Sequence, residues 1–248
     1  MFAGALSFFR ALGPVDFRNI HRDPLLRWMV VYPLLLAALI RWGLPAVTGF
    51  LAGRYAFDLV PYFPLLASFA VMMSPMLAGM VVGFLLLDQK DDSTLLAIRV
   101  VPLPLNAYLV YRLGIPVLIG FCTTLIIMPV SGIGVPDTGG LTLAALVAAP
   151  LAPLYALALA GFASNKVEGF ALTKALGVLL AAPVLALFIP APWRWCLGIV
   201  PHFWVSQVCR LSSTGDAWSL ASAAAIGLGY QGVILWVLVR RYNRVAGI

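Results

Sequence analysis

Charge is what this sequence has least of. Of its 248 residues only 10% are Asp, Glu, Lys or Arg, against roughly a quarter in an ordinary soluble domain. Hydrophobic residues make up 62% and the mean hydropathy is +1.01, so the chain must bury most of its surface in lipid. Soluble enzymes and nucleic-acid binders are excluded on this ground. Cysteine is nearly absent too: Cys122, Cys196 and Cys209 form neither a disulfide framework nor a CxxC metal site. Cys196 and Cys209 share one loop, where isolated thiols are expected and a disulfide only in an oxidising compartment. Nucleotide and catalytic motifs are missing, with no GxxxxGK[ST], GxSxG or HExxH, and the two histidines, His21 and His202, are expected at opposite faces. The nine acids, Asp16, Asp23, Asp58, Asp88, Asp91, Asp92, Asp137, Glu168 and Asp216, fall outside or at the ends of the apolar runs, which argues against a proton relay. Arg10 interrupts the first apolar stretch, so no secretory leader is expected and Met1 is read as part of the mature chain.

What is present is a series of long, continuously apolar runs. Six are expected to cross the bilayer as helices: 24–42, 60–87, 113–136, 138–165, 175–193 and 217–239. Their lack of strict alternation rules out a closed β-barrel. Of the sixteen basic residues, Arg10, Arg18, Arg22, Arg27, Lys90, Arg99, Arg112, Lys166, Lys174, Arg240, Arg241 and Arg244 fall on the N-terminal side, and Arg41, Arg54, Arg194 and Arg210 on the other. This twelve-to-four bias places both termini in the cytoplasm and explains the net charge of +7 as an orientation signal. The fold class is therefore all-α, a polytopic membrane protein in a single transmembrane domain over 1–248. Pro33, Pro75, Pro116, Pro150, Pro153 and Pro183 lie at membrane depth and invite bends that neighbouring helices must re-satisfy. Gly79 and Gly83 form a GxxxG pattern that permits close helix approach, a spacing that also arises by chance. Met72, Met73 and Met76 are expected in interhelical packing or lipid contact when each is taken alone; together they are a candidate lining for an adaptable apolar substrate path.

Three segments lie outside the spans. Residues 1–23 place Phe2, Leu6, Phe9, Phe17 and Ile20 among Arg18, His21 and Arg22, an amphipathic pattern that predicts an interfacial helix turning at Asp23-Pro24 into the first span. In 88–104, Asp91, Asp92 and Ser93 supply capping oxygens and Pro102 stops a short helix. Its body, Thr94 to Val101, is too apolar for cytosol and must lie on the membrane or in a groove of a partner. Residues 190–215 mix Trp193, Trp195, Phe203 and Trp204 with Pro192, Pro201, Arg194 and His202. Either a re-entrant or surface helix or a plain aromatic belt fits this composition.

The charged run, then Ser93-Thr94-Leu95-Leu96, then Pro102-Leu103 and Tyr108-Leu109 before Arg112, resembles the coupling-helix region of type-2 ATP-binding-cassette (ABC) transporter permeases. The resemblance extends to layout: N-terminal interfacial helix, six spans, a cytoplasmic helix between spans two and three, and an aromatic segment before the last span. Ser93 stands where that family usually has Gly, and Leu96 where it often has Glu. Within the family the pattern is most similar to small bacterial multidrug-type permeases, including those linked to fluoroquinolone export. The resemblance implies a permease in the bacterial plasma membrane that pairs with itself or a sister permease and with two cytoplasmic ABC ATPase subunits. ATP and Mg would be bound on those partners, and no cofactor, metal or nucleic acid by this chain. It also implies that Thr94, Leu95, Leu96, Ile98 and Arg99 dock on the ATPase, and that Lys166 and Glu168 form a second cytoplasmic contact. An apolar or amphipathic exported compound is expected, since no charged cavity for a polyanion is visible. Two other readings stand beside it: an intramembrane lipid-modifying enzyme, which would need a polar cluster around His202, Arg194, Arg210 and Asp216, and a non-transporting assembly factor.

Overall fold

The computed structural model describes residues 13–91, 105–133, 138–213 and 216–246, and these contain helices and no strand. Six segments, Pro24–Tyr55, Val60–Lys90, Val110–Ser131, Thr138–Phe162, Lys166–Phe188 and Ala217–Arg244, are long and apolar enough to cross a bilayer. The chain is a multi-pass membrane protein.

Residues 13–22 form helix α1, the described part of the expected interfacial helix; residues 1–12 lie outside the description. The Asp23 carboxylate accepts from the Leu25 and Leu26 N–H groups at 2.9 and 3.4 Å, and Pro24 follows where a missing N–H is harmless. This cap starts α2 (Pro24–Tyr55). Charge counting ends the first span at Trp42, but α2 runs on to Tyr55. Its length is about 48 Å, well beyond a core of about 30 Å. The chain turns apolar again after Arg41, and the Thr48 hydroxyl donates to the Leu44 carbonyl at 2.8 Å, so a single charge does not interrupt the helix.

A 3₁₀ turn (Val60–Tyr62) leads into α3 (Phe63–Asp91), and α4 spans Leu105–Ser131. The fourth span is broken at Ala149-Pro150 into α5 (Thr138–Ala148) and α6 (Leu151–Phe162). The fifth starts well before the expected Ala175, as α7 (Lys166–Gly177), continuing through a 3₁₀ turn into α8 (Ala181–Phe188). A cap rather than hydropathy sets that start. The Asn165 side chain accepts from the Glu168 N–H at 3.0 Å while Glu168 reaches back to the Ser164 N–H at 2.7 Å. A 3₁₀ stretch (Trp193–Ile199), α9 (Pro201–Ser212) and α10 (Ala217–Ala246) complete the chain. The aromatic segment is more than a belt: α9 packs against α10, α3 and α5 and buries Phe203, Trp204, Val205 and Val208. Cys196 is exposed, Cys209 buried, and both are free.

The bundle is layered. The second and fourth spans are 78% buried in their most apolar stretch, the other four between 11% and 28%. The second and fourth spans are thus core and the other four carry most of the exposed apolar surface. α3 packs chiefly on α6 and α4, and small residues allow it. A Cβ on Gly79 would strike the Ala152 carbonyl oxygen, and one on Gly83 would lie 2.7 Å from Leu159 Cδ1. The Gly79/Gly83 pattern is a real contact face. Gly79→Leu is therefore expected to destabilise the bundle by about 3 kcal/mol, the upper end for overpacking, since backbone cannot yield as a side chain can. Thermal unfolding in detergent reads this; a melting curve equal to the parent's would contradict the α3–α6 contact.

Candidate functional site

A groove of about 410 Å³ lies between α1, α2, α3 and α4. Phe17 and Ile20 line it from α1, Met29, Val30 and Pro33 from α2, Leu77, Ala78, Val81 and Leu85 from α3, and Ile115, Pro116 and Ile119 from α4. Polar groups reach it at two levels. Ser74 and Thr123 are hydrogen-bonded to each other across α3 and α4, and Asp16, Tyr111 and Arg112 close the end nearer the α3 C-terminus. The levels are roughly 16 Å apart along α4. Such a groove suits an apolar or amphipathic ligand, oriented by few polar groups.

The charged end is a buried network. Arg112 Nη1 donates to Asp16 Oδ2 at 2.6 Å, and the Tyr111 hydroxyl donates to the same oxygen at 2.8 Å. Arg112 Nε donates to the Tyr108 hydroxyl at 3.3 Å, which in turn donates to Gln89 Oε1 at 2.6 Å. The guanidinium is 2% exposed, lies 5.6 Å from the ring centres of Tyr108 and Tyr111, and leaves Nη2 without a hydrogen-bond partner among the described residues. Burial raises the Tyr108 phenol above its ordinary range, with the Arg112 charge opposing; the phenol stays neutral and keeps its proton for Gln89. The network pins α1 to the base of α4.

A second polar clasp lies at the same end. Lys166 Nζ bridges Asp23 at 3.0 Å and Asp88 at 2.8 Å, joining the starts of α2 and α7 to the end of α3. Burial alone would raise the Asp23 carboxyl, but Lys166 and the two capping N–H groups bring it below its usual value. Lys90 Nζ donates to the Ala163 carbonyl at 3.1 Å and Arg241 Nε to that of Gly161 at 3.0 Å, so basic side chains tie helix ends here as well as orienting them. Across the bundle, the Tyr155 hydroxyl and His202 Nε2 are 3.0 Å apart and buried; burial lowers the His202 imidazole to about 4.

The residues singled out from sequence fall in three places. Thr94, Leu95, Leu96, Ile98 and Arg99, with most of the 88–104 segment, lie outside the described residues. Lys166 is engaged in its two ion pairs and Glu168 in the cap of α7. Met72 and Met76 are buried in the core and Met73 is half-buried; none of the three lines the groove, which uses the neighbouring face of α3 through Ser74, Leu77, Ala78 and Val81. Sequence reading missed the Asp16–Arg112 pair, treating both as flanking charges. The signal was an arginine set in Tyr108–Tyr111–Arg112, a cluster of phenols at the mouth of a span.

Comparison with known proteins gives one consistent picture. The family described as "Fluoroquinolones export permease protein Rv2686c-like" matches residues 16–239. The fluoroquinolones export permease protein Rv2686c of Mycobacterium tuberculosis (strain ATCC 25618 / H37Rv) is 35% identical over 237 residues, covering 94% of this chain and 93% of the relative. The fluoroquinolones export permease protein MT2760 of Mycobacterium tuberculosis (strain CDC 1551 / Oshkosh) matches to the same extent. No solved structure matches the chain.

Proposed function

We propose, because this chain belongs to the Rv2686c-like fluoroquinolones export permease family, that it is the membrane subunit of an ATP-driven exporter of drug-like amphipathic compounds, fluoroquinolones among them. The full-length match to proteins so named carries the reading. The apolar groove with polar groups at two levels supports it, being of the volume that takes a drug-sized ligand. The chain sits in the bacterial plasma membrane with both termini cytoplasmic, on the twelve-to-four distribution of its basic residues. Its partners are a second permease, the same or a sister, and two ABC ATPase subunits that hold ATP and Mg.

Mechanically, Thr94, Leu95, Leu96, Ile98 and Arg99 dock on the ATPase, with Glu168 beside the Lys166 clasp as a second contact. The docking segment joins the C-terminal end of α3 to α4, the two helices that carry most of the groove. A displacement of that segment by nucleotide binding would shift α3 and α4 against α1 and α2 and change which side the groove faces.

The test is purification of the intact complex from native membranes. An ATPase subunit bearing GxxxxGK[ST] is expected to co-elute with the parent chain. Leu96→Asp and Ile98→Asp are expected to lower its recovery about tenfold or more, an uncompensated buried charge at a docking face costing more than 1.4 kcal/mol, with permease level and melting unchanged. ATP hydrolysis still stimulated by substrate in those variants would remove the docking assignment. Absence of any ATPase beside an intact control complex would remove the exporter reading.

A further inference from the structure

At the end of the bundle away from Arg112, a smaller cavity of about 170 Å³ lies between the start of α3, α8 and α9. Pro64 and Pro183 give it apolar walls, and Arg194, Ser206, Gln207 and Arg210 face it. Two cations share this space, and no acid is among the described residues that line it. The ion pairs among the described residues use Asp16, Asp23 and Asp88, while Asp58 and Asp216 cap the Val60 and Ser219 N–H groups. Gln207 Oε1 accepts from Arg210 Nε at 3.2 Å and Nη2 at 2.6 Å, fixing the guanidinium plane. Arg194 Nε is buried with no hydrogen-bond partner among the described residues. Burial, and then the neighbouring Arg194 charge, weaken the hold of Arg210 on its proton.

Two like charges held together with unused donors are stabilised by an anion that accepts from both. The volume is below the roughly 300 Å³ at which drug-sized pockets begin, so the occupant is a single compact oxyanion. Trp193 and Trp195 beside it are 71% and 51% exposed, in keeping with side chains at headgroup level. We propose that Arg194 and Arg210 bind a phosphate-type oxyanion, supplied by the headgroup of an anionic phospholipid of the leaflet that this end of the bundle meets.

The purified full-length protein, stripped of lipid and examined by native mass spectrometry, tests this with phosphatidylglycerol, phosphatidylcholine and inorganic phosphate as probes. Phosphatidylglycerol is expected to be retained about tenfold more than phosphatidylcholine. That preference should vanish in the double variant Arg194→Gln/Arg210→Gln and fall in Arg194→Gln alone, which leaves the Gln207–Arg210 bond in place. Arg54→Gln, an exposed arginine at the same end, should keep it. If inorganic phosphate binds and competes in an arginine-dependent way, the oxyanion site stands with free phosphate as its source. Equal retention of the two lipids by the parent chain with no phosphate binding, or retention by the arginine variants equal to the parent's, overturns the proposal.

Discussion

Asp16→Ala is expected to cost about 3 to 5 kcal/mol of stability, the usual penalty for leaving one member of a buried ion pair behind. The partner left is Arg112, 2% exposed and with one nitrogen already unpartnered among the described residues. No other described acid pairs with it, and the Tyr111 hydroxyl loses its hydrogen bond to Asp16 in the same change. The loss should be read as a lower melting temperature and poor recovery of monodisperse protein. The double change Asp16→Leu/Arg112→Leu removes both charges and their desolvation, so it should recover most of that loss. A melting temperature for Asp16→Ala within a degree or two of the parent's would show that α1 is not held by this pair. If the double variant melts with the single one, the cost lies in α1 packing rather than in the stranded charge.

How much of this was readable beforehand depends on the range over which each signal acts. The six spans are local facts of hydropathy, and they stand as expected in number and order. Their ends are decided by chemistry that hydropathy ignores. Asn165 and Glu168 start α7 inside a polar stretch, and α2 runs past Arg41 because apolar residues resume after it. The groove was the hardest part to foresee, because its lining comes from four helices at once. Met72 and Met76 have the chemistry that suits a substrate path, yet their side of α3 faces the core while Leu77, Ala78 and Val81 face the groove. In a helix that is apolar all round, no periodicity separates those faces. Asp16 and Arg112 are 96 positions apart, and each reads in sequence as a flanking charge, because nothing local pairs them.

Ala78→Trp is expected to reduce efflux about tenfold or more while leaving the ATPase bound. Ala78 is a small residue in the groove wall on α3, one turn from Ser74 and less than one from Val81. Its replacement by an indole fills the middle of the groove, between the Ser74–Thr123 level and the Arg112 end. A ligand then has to give up contacts on both sides of the obstruction, a loss that exceeds the 1.4 kcal/mol of a tenfold change. Accumulation of a fluoroquinolone in cells expressing the complex measures the effect. The control is Val178→Trp, at a site 70% exposed and outside the groove lining, which should transport normally. This outcome differs from the one expected for Leu96→Asp, where transport should fail because the proposed ATPase contact is lost. Undiminished efflux by Ala78→Trp would mean that the substrate crosses elsewhere, most simply along a surface completed by the second permease. Efflux lost together with the ATPase would mean that the groove wall carries the coupling itself, since α3 precedes the proposed docking segment in the chain.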